Sequence, residues 1–322
     1  MIWLIGCDGM LGKEVAKYLK ENKLDFVGTD KEVDITNPEA LDKFQKKLIT
    51  SFYSLDSTIP DNEKNIQWII NCAAFTNIDE AENDKEYVSK VNAEGPLNIA
   101  RIARKIGAKL IHISTDYVFS GKSTKPYNEN MSKDPICHYG LTKSIGEYAI
   151  EKEMVQYFII RTSWMYGFGG NNFVYKMINA MNSNEKVTVV NDQLGSPTFA
   201  EDLAELIITI ITKTNNAKGF IGSNSTPAFG IYHYSNEGCI SWYDFANAIY
   251  KYGKKAGLIA NTCQIIPCKS SDYKSAATRP LYTFMDKTKI KKEFKIKIPY
   301  WQKSLKEFLK NKKLKKSEFI NK

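Results

Sequence analysis

The sequence predicts an α/β protein built on a doubly wound parallel sheet, with a smaller C-terminal α/β lobe. Three observations predict it. Short apolar runs alternate with stretches of helical periodicity through the first half, a glycine-punctuated turn follows the first run, and the alternation loosens after about residue 165.

The first run is Ile2–Ile5, after which Gly6 to Gly12 turns the chain. Leu11, Val15, Ala16 and Leu19 then recur at helical spacing. A second strand, Phe26-Val27-Gly28-Thr29, ends at Asp30, and Asn37-Pro38 opens a helix with asparagine as cap and proline in the first turn. Trp68–Asn71 reads as a third strand, Val91–Ile106 as one long helix and Leu110–Ser114 as a fourth strand. Between them, the polar stretch Thr50–Lys64 with its Pro60-Asp61-Asn62 turn reads as a surface insertion. Further on, Phe173–Met181, Leu203–Ile211 and Trp242–Tyr252 read as helices and Val187–Val190 as a short strand, followed by a tail of short strands and loops.

Composition narrows the function classes. A chain of 322 residues, 43% hydrophobic and 25% charged, has the balance of a globular protein and can bury a large core. No apolar run approaches the roughly 18 residues of a membrane span, and no signal peptide is expected, because the sequence opens directly into a strand. Cys7, Cys72, Cys137, Cys239, Cys263 and Cys268 are scattered without a CxxC pair, so free thiols in a reducing cytoplasm are expected. The net charge of +9 does not argue for nucleic acid, because residues 310–322 hold six lysines against one glutamate and so supply more than half of it. Three histidines form no metal set: His112 reads as a packed core residue and His138 as an exposed loop residue.

The glycines carry the first chemical signal. Gly6-x-x-Gly9-x-x-Gly12 between a strand and a helix supplies, in turn, a tight bend, a close backbone approach to a pyrophosphate and close helix–sheet packing. The helix start then offers free N–H groups and the positive end of its dipole. Asp30, 21 residues after Gly9, stands where an acid binds adenine ribose hydroxyls, which favours NADH; the adjacent Lys31 suits the 2′-phosphate of NADPH. Residues 1–165 are therefore expected to form a Rossmann-type NAD(P)-binding domain, with segments of roughly 200–235 returning to it, and 166–322 mainly a substrate lobe with a basic tail.

The second signal is Tyr139-Gly140-Leu141-Thr142-Lys143, a tyrosine and a lysine on one helix face. An ammonium beside a phenol stabilises phenolate and lowers the phenol's titration toward the working pH, so the pair can exchange a proton with a carbonyl while hydride moves. Upstream, the strand of Leu110–Ser114 ends in Ser114-Thr115-Asp116, placing hydroxyls at the carboxyl end of a parallel strand, where open α/β sheets bind ligands.

These segments resemble the extended short-chain dehydrogenase/reductases and, within them, the dTDP-4-dehydrorhamnose reductase family. The likeness runs from residue 2 to about 305. It includes Asn71–Thr76, Ser114–Phe119, Arg161–Trp164, Arg279-Pro280 and, more particular to that family, Asn191–Thr198 and Tyr232–Gly238. The resemblance implies a triad of Thr115, Tyr139 and Lys143, with Tyr139 as proton donor, Lys143 tuning it and binding the nicotinamide ribose, and Tyr139 and Lys143 both counted among the cofactor contacts. It implies cofactor contacts at Gly9-Met10-Leu11, Asp30, Asp34-Ile35 and Ala73-Ala74-Phe75, and a sugar–nucleotide site bordered by Thr115, Asp116 and Trp164. The implied reaction is NADPH- or NADH-dependent reduction of dTDP-4-dehydro-L-rhamnose to dTDP-L-rhamnose, with a nucleotide-sugar substrate, no nucleic acid, no membrane and a homodimer as the compatible assembly. Some family members hold Mg²⁺ on glutamates at a dimer interface; Glu14 and Glu201 match, but Asn311 replaces the third, so no metal is expected. Related dehydratases carry Thr-Asp-Glu where this chain has Thr115-Asp116-Tyr117, so the base for elimination is missing. The rival readings are an epimerase, a reductase of another activated sugar, and a non-catalytic NADP-binding regulatory subunit; loss of Tyr139 or Lys143 would favour the last, and both are present.

Overall fold

The computed structural model describes residues 1–55, 65–216, 227–311 and 313–314. Most of the expected Thr50–Lys64 insertion and most of the basic tail lie outside the described residues. The first half runs β1 (Ile2–Ile5), α1 (Met10–Glu21), β2 (Phe26–Thr29), α2 (Pro38–Leu55), β3 (Trp68–Asn71), α3 (Lys85–Ser89), α4 (Gly95–Ile106), β4 (Lys109–Thr115), α5 (His138–Glu153) and β5 (Tyr157–Thr162). The second half runs β6 (Met165–Tyr166), α6 (Phe173–Ser183), β7 (Lys186–Val190), β8 (Leu194–Gly195), β9 (Thr198–Phe199), α7 (Ala200–Asn216), β10 (Gly230–His233), β11 (Ile240–Ser241), α8 (Trp242–Ala256), β12 (Gln264–Cys268), α9 (Thr288–Phe294) and α10 (Trp301–Lys310).

Six strands form one sheet in the order β2-β1-β3-β4-β5-β10, every neighbouring pair parallel. β1, β3 and β4 are buried along their whole length, the pattern of a sheet covered on both faces. One face is covered by α1, α7 and α9 through Leu11, Val15, Leu203, Ile207, Ile290 and Phe294. The other is covered by α2 and α4, with Ile150 of α5, through Leu41, Leu48, Ile99 and Ile102 among others. The order reverses between β1 and β3, and in open sheets of this kind a crevice forms outside the strand ends at that point. A separate core of α6, α8 and α10 around Tyr166, Phe245 and Phe308 builds the second lobe.

The fold departs from the sequence reading in three places. The expected single helix Val91–Ile106 opens in a π-helical turn over Lys90–Glu94, which follows α3, and then runs as α4 with Pro96 in its first turn. Proline lacks the N–H that a continuous helix would need there. Within the tail expected to hold only short strands and loops, Thr288–Phe294 and Trp301–Lys310 are helices: α9 and α10 bury Ile290, Phe294, Trp301 and Leu305 at helical spacing. Tyr232 and Tyr234 lie in the core of the main sheet because β10 is its sixth strand. His138 is not in a loop: it opens α5, half-buried, with Nε2 2.9 Å from the Lys85 carbonyl.

Phe158 in β5 sits among Trp68, Phe229, Tyr232 and Phe294, with ring centroids 5.0 to 6.2 Å away. Phe158→Ala should cost about 3–5 kcal/mol, because so crowded a site cannot collapse onto the void. A urea titration of the two proteins gives the difference from the midpoint shift.

Candidate active site

The glycine turn is held by backbone contacts that leave no room for side chains. Gly6 has φ of +78° and donates its N–H to the Thr29 carbonyl at 2.7 Å, and a Cβ there would lie 2.6 Å from the Ala73 nitrogen. A Cβ on Gly12 would lie 2.0 Å from the Gly6 carbonyl oxygen. The turn is thus pressed against both α1 and the segment after β3. Gly9 precedes α1 and gives it no side-chain cap, so the first N–H groups of the helix face the crevice unclaimed by a capping oxygen. Bare backbone and an uncapped helix start at the switch point fit a dinucleotide diphosphate.

Around this turn the expected contact residues separate into two groups. Asp30 accepts the Asp8 N–H through Oδ2 at 3.1 Å and the Lys31 N–H through Oδ1 at 3.0 Å, which fixes its carboxylate beside the turn. Ala73, Ala74 and Phe75 are half-buried just past β3. Ala73 donates to Asn71 Oδ1 at 3.0 Å, and Asn92 clamps Phe75 on both sides, accepting its N–H at 2.9 Å and donating to its carbonyl at 3.0 Å. Leu11 and Ile35 turn their side chains into the core, so only their backbone could meet a ligand, and the Ile35 carbonyl is already held by Asn98 at 3.1 Å. The exposed Asp34 carboxylate closes a local turn with Thr36 at 2.8 Å. Met10 is half-buried against the Asn172 amide.

The second half of the site gathers at the carboxyl end of β4. Helix α5 approaches this end closely because Gly140 stands where any Cβ would lie 2.2 Å from the Tyr117 carbonyl, and Gly146 where it would lie 2.3 Å from that of Asn92. Tyr139 and Lys143 are both buried beneath that contact. The Tyr139 hydroxyl lies beside Thr115, and its ring meets Tyr117 edge-on at 5.7 Å. Burial raises the Tyr139 phenol above its ordinary value, with the Thr115 contact working the other way. Burial thus outweighs the lowering expected from a neighbouring ammonium; the Lys143 amine donates to the Ile113 carbonyl at 2.6 Å and lies 3.2 Å from His112 Nε2. Burial also pulls Lys143 down to about 8, opposed by Glu147 and Cys72.

Several residues that shape the site were not singled out as site residues from the sequence. Glu147, one turn beyond Lys143, is fully buried and receives Arg161 Nε at 2.9 Å and Nη2 at 2.7 Å, with the Ser114 hydroxyl at 2.5 Å. Its i,i+4 relation to Lys143 is the signal that could have found it. Asn92 carries no comparable signal. Arg279 reaches from the segment before α9 to Asp79 at 2.7 Å and to the Tyr117 hydroxyl at 3.4 Å.

Trp164 adopts a left-handed backbone, φ +47°, and stacks on Trp242 with centroids 3.7 Å apart. It packs so closely on Gly195 that a Cβ there would lie 2.9 Å from the indole. The Asn191–Thr198 and Tyr232–Gly238 segments interlock: Ser196 donates to the Gly238 carbonyl at 2.6 Å, and the Asn236 side chain accepts the Phe199 N–H at 2.8 Å. Asp116 is buried, with Thr115 donating to it at 3.1 Å, and burial pushes its carboxyl up to about 7. Among the described residues no group of three or more His, Cys, Asp or Glu could hold a metal ion, and no helix is long and apolar enough to cross a membrane.

The sheet order, the turn at its switch point and the placing of Tyr139 beside Thr115 put the chain in the short-chain dehydrogenase/reductase class. Within that class it belongs to the family described as RmlD substrate binding domain, whose model matches residues 1–314. It is 35% identical over 305 residues to a dTDP-4-dehydrorhamnose reductase of Aggregatibacter actinomycetemcomitans, covering 94% of this chain and 96% of that one. Among solved structures it resembles a dTDP-4-dehydrorhamnose reductase of Clostridium acetobutylicum, with TM-score 0.82, 34% identity, and 96% and 98% of the two chains covered. It resembles equally one of Bacillus anthracis in complex with NADP, with TM-score 0.82, 32% identity, and 95% and 97% covered.

Two measurements follow from this geometry. Gly12→Ala should abolish or severely weaken NADPH and NADH binding, seen by titration calorimetry, because a methyl group 2.0 Å from the Gly6 carbonyl forces the turn apart. Asp116 holds its proton more tightly folded, at about 7, than unfolded, at about 3.9. The stability this provides is therefore complete in acid and lost as pH rises through about 7. Relative to Asp116→Asn, the wild-type melting temperature should fall between roughly pH 4 and pH 7 and run parallel above that.

Proposed function

We propose that this chain reduces the 4-keto group of dTDP-4-dehydro-L-rhamnose to give dTDP-L-rhamnose, with NADPH or NADH as the reductant. The observation that carries the reading is Tyr139 buried beside Thr115 at the end of β4, on the same edge of the sheet as the glycine turn. When bound, the reduced nicotinamide supplies the hydride that reaches C4. The protein supplies the rest. Backbone at Gly6–Gly12 and the start of α1 receive the diphosphate, and Asp30 meets the adenine ribose. Ala73, Ala74 and Phe75 line the other wall.

Thr115 fixes the keto oxygen against Tyr139, whose phenolic proton passes to that oxygen as the alcohol forms. A buried phenol with a raised titration stays protonated until that moment, which suits a proton donor. Lys143 steadies the phenolate that remains, and Asp116 and Trp164 border the sugar. The absence of an acid after Asp116, where Tyr117 stands, favours simple reduction over elimination.

The wider reading is of a cytoplasmic enzyme acting as a homodimer. Six free cysteines support a reducing compartment. The lobes are read as dividing near residue 165, with 200–235 belonging to the nucleotide-binding side; the pairing of β10 with β5 and the packing of α7 on α1 support that division.

The test is the loss of reduced-nicotinamide absorbance with enzymatically generated dTDP-4-dehydro-L-rhamnose, against dTDP-4-dehydro-6-deoxyglucose as control. Oxidation with the first alone is the expected result, and oxidation with neither overturns the assignment. Tyr139→Phe should lower kcat by about 10²–10⁴-fold while leaving cofactor affinity within a factor of two or so, since only the donating hydroxyl is removed.

A further inference from the structure

Three buried side chains on three elements form a chain of hydrogen bonds of which the proposed reaction uses only Lys143. The Ala73 N–H donates to Asn71 Oδ1 at 3.0 Å, the Asn71 amide nitrogen lies 3.0 Å from His112 Nδ1, and His112 Nε2 lies 3.2 Å from the Lys143 amine. Asn71 and His112 are register partners across β3 and β4, both with essentially no exposure. A backbone N–H can only donate, so the Asn71 oxygen must face Ala73 and its NH₂ must face His112. Nδ1 is then the acceptor, and the neutral ring carries its proton on Nε2. That N–H points at Lys143. An ammonium has no lone pair and cannot receive it, whereas a neutral amine accepts from Nε2 and still donates to the Ile113 carbonyl.

We propose that Asn71 and His112 are positioning residues for Lys143. Asn71 fixes the imidazole with its proton on Nε2, and that N–H opposes the ammonium form, so Lys143 exchanges its proton within the working range of the enzyme instead of staying permanently charged. The inference rests on the reading of Lys143 as the partner of Tyr139. The other groups around the amine are Cys72 beyond β3 and Glu147 on α5, the latter neutralised by Arg161 of β5 and approached by Lys133 at 3.3 Å. Burial pushes the Cys72 thiol up to about 12, so it carries no charge near neutrality; of the two groups that favour the ammonium, Glu147 counts for more than Cys72. Burial and Lys143 both hold the His112 ring well below its ordinary titration, in keeping with a neutral ring.

The first test needs neither substrate nor cofactor. With three histidines in the sequence, ¹⁵N-histidine labelling resolves each ring, and the expected spectrum shows His112 neutral with its proton on Nε2. A proton on Nδ1, or a charged ring at neutral pH, overturns the proposal. In Asn71→Leu the constraint is gone and the proton should move to Nδ1; a ring unchanged in that variant also overturns it.

The second test is the pH profile of kcat/KM for His112→Phe, which keeps the packing and removes the donor. The alkaline limb should move up by about one pH unit, roughly tenfold more activity on that flank. An unmoved limb in a folded variant reduces His112 to packing and overturns the proposal. Should the wild-type protein oxidise no reduced nicotinamide with either sugar, the enzymatic reading fails alone, and the ring tautomer still decides this inference.

Discussion

The constraint on which the site depends is the buried ion pair between Glu147 and Arg161. It ties α5 to both β4 and β5: Arg161 meets the carboxylate through two nitrogens, Ser114 donates to it from the strand end, and Lys133 approaches from outside. Arg161 in turn lies 3.3 Å from His233 Nε2 and over the Phe119 ring. Taking both charges out of water is costly, and such a pair adds little net stability compared with a packed apolar alternative. Losing one partner is another matter, because it strands a charge in the core and costs several kcal/mol. The pair therefore acts less as a source of stability than as a register pin: α5 can dock in one position only, and that position brings Tyr139 to Thr115.

Glycines do for the backbone what this pair does for the helix. Gly12 and Gly6 let α1 and the segment after β3 close on the first turn, and Gly140 and Gly146 let α5 close on Tyr117 and Asn92. Two helices, one on each face of the sheet, thus reach the same edge by the same device. The cofactor side is bare backbone, and the catalytic side is side chains held by buried polar contacts.

Much of this was legible in the sequence. The strands of the first half are short apolar runs with turn residues after them, and parallel burial makes such runs hard to mistake. The glycine turn and the Tyr–Lys spacing are local patterns, so their elements could be placed before any tertiary information. The sixth strand was harder. Gly230–His233 is short, and its burial comes from pairing with β5, some 70 residues earlier in the chain. The π-helical turn at Lys90–Glu94 has no sequence signature beyond the following Gly95-Pro96, and Asn92 earns its place only through contact with Phe75. His112 looked like a packed core residue, and it is one; that its ring nitrogens join Asn71 to Lys143 depends on strand register, which one strand's sequence does not state.

The late arrival of β10 has a consequence for how the chain is made. When the ribosome has released residues 1–165, the five strands of the sheet are complete, but β5 is an open edge and the face that α7 and α9 will cover is bare. Phe158 and Ile160 wait for partners encoded more than 40 residues downstream, and the last of them, Phe294, comes close to the end of the described chain. The nascent intermediate thus displays both an unpaired strand and an apolar face, the two features that recruit chaperones or neighbouring copies. Cutting the gene after the second lobe begins would leave that intermediate as the final product.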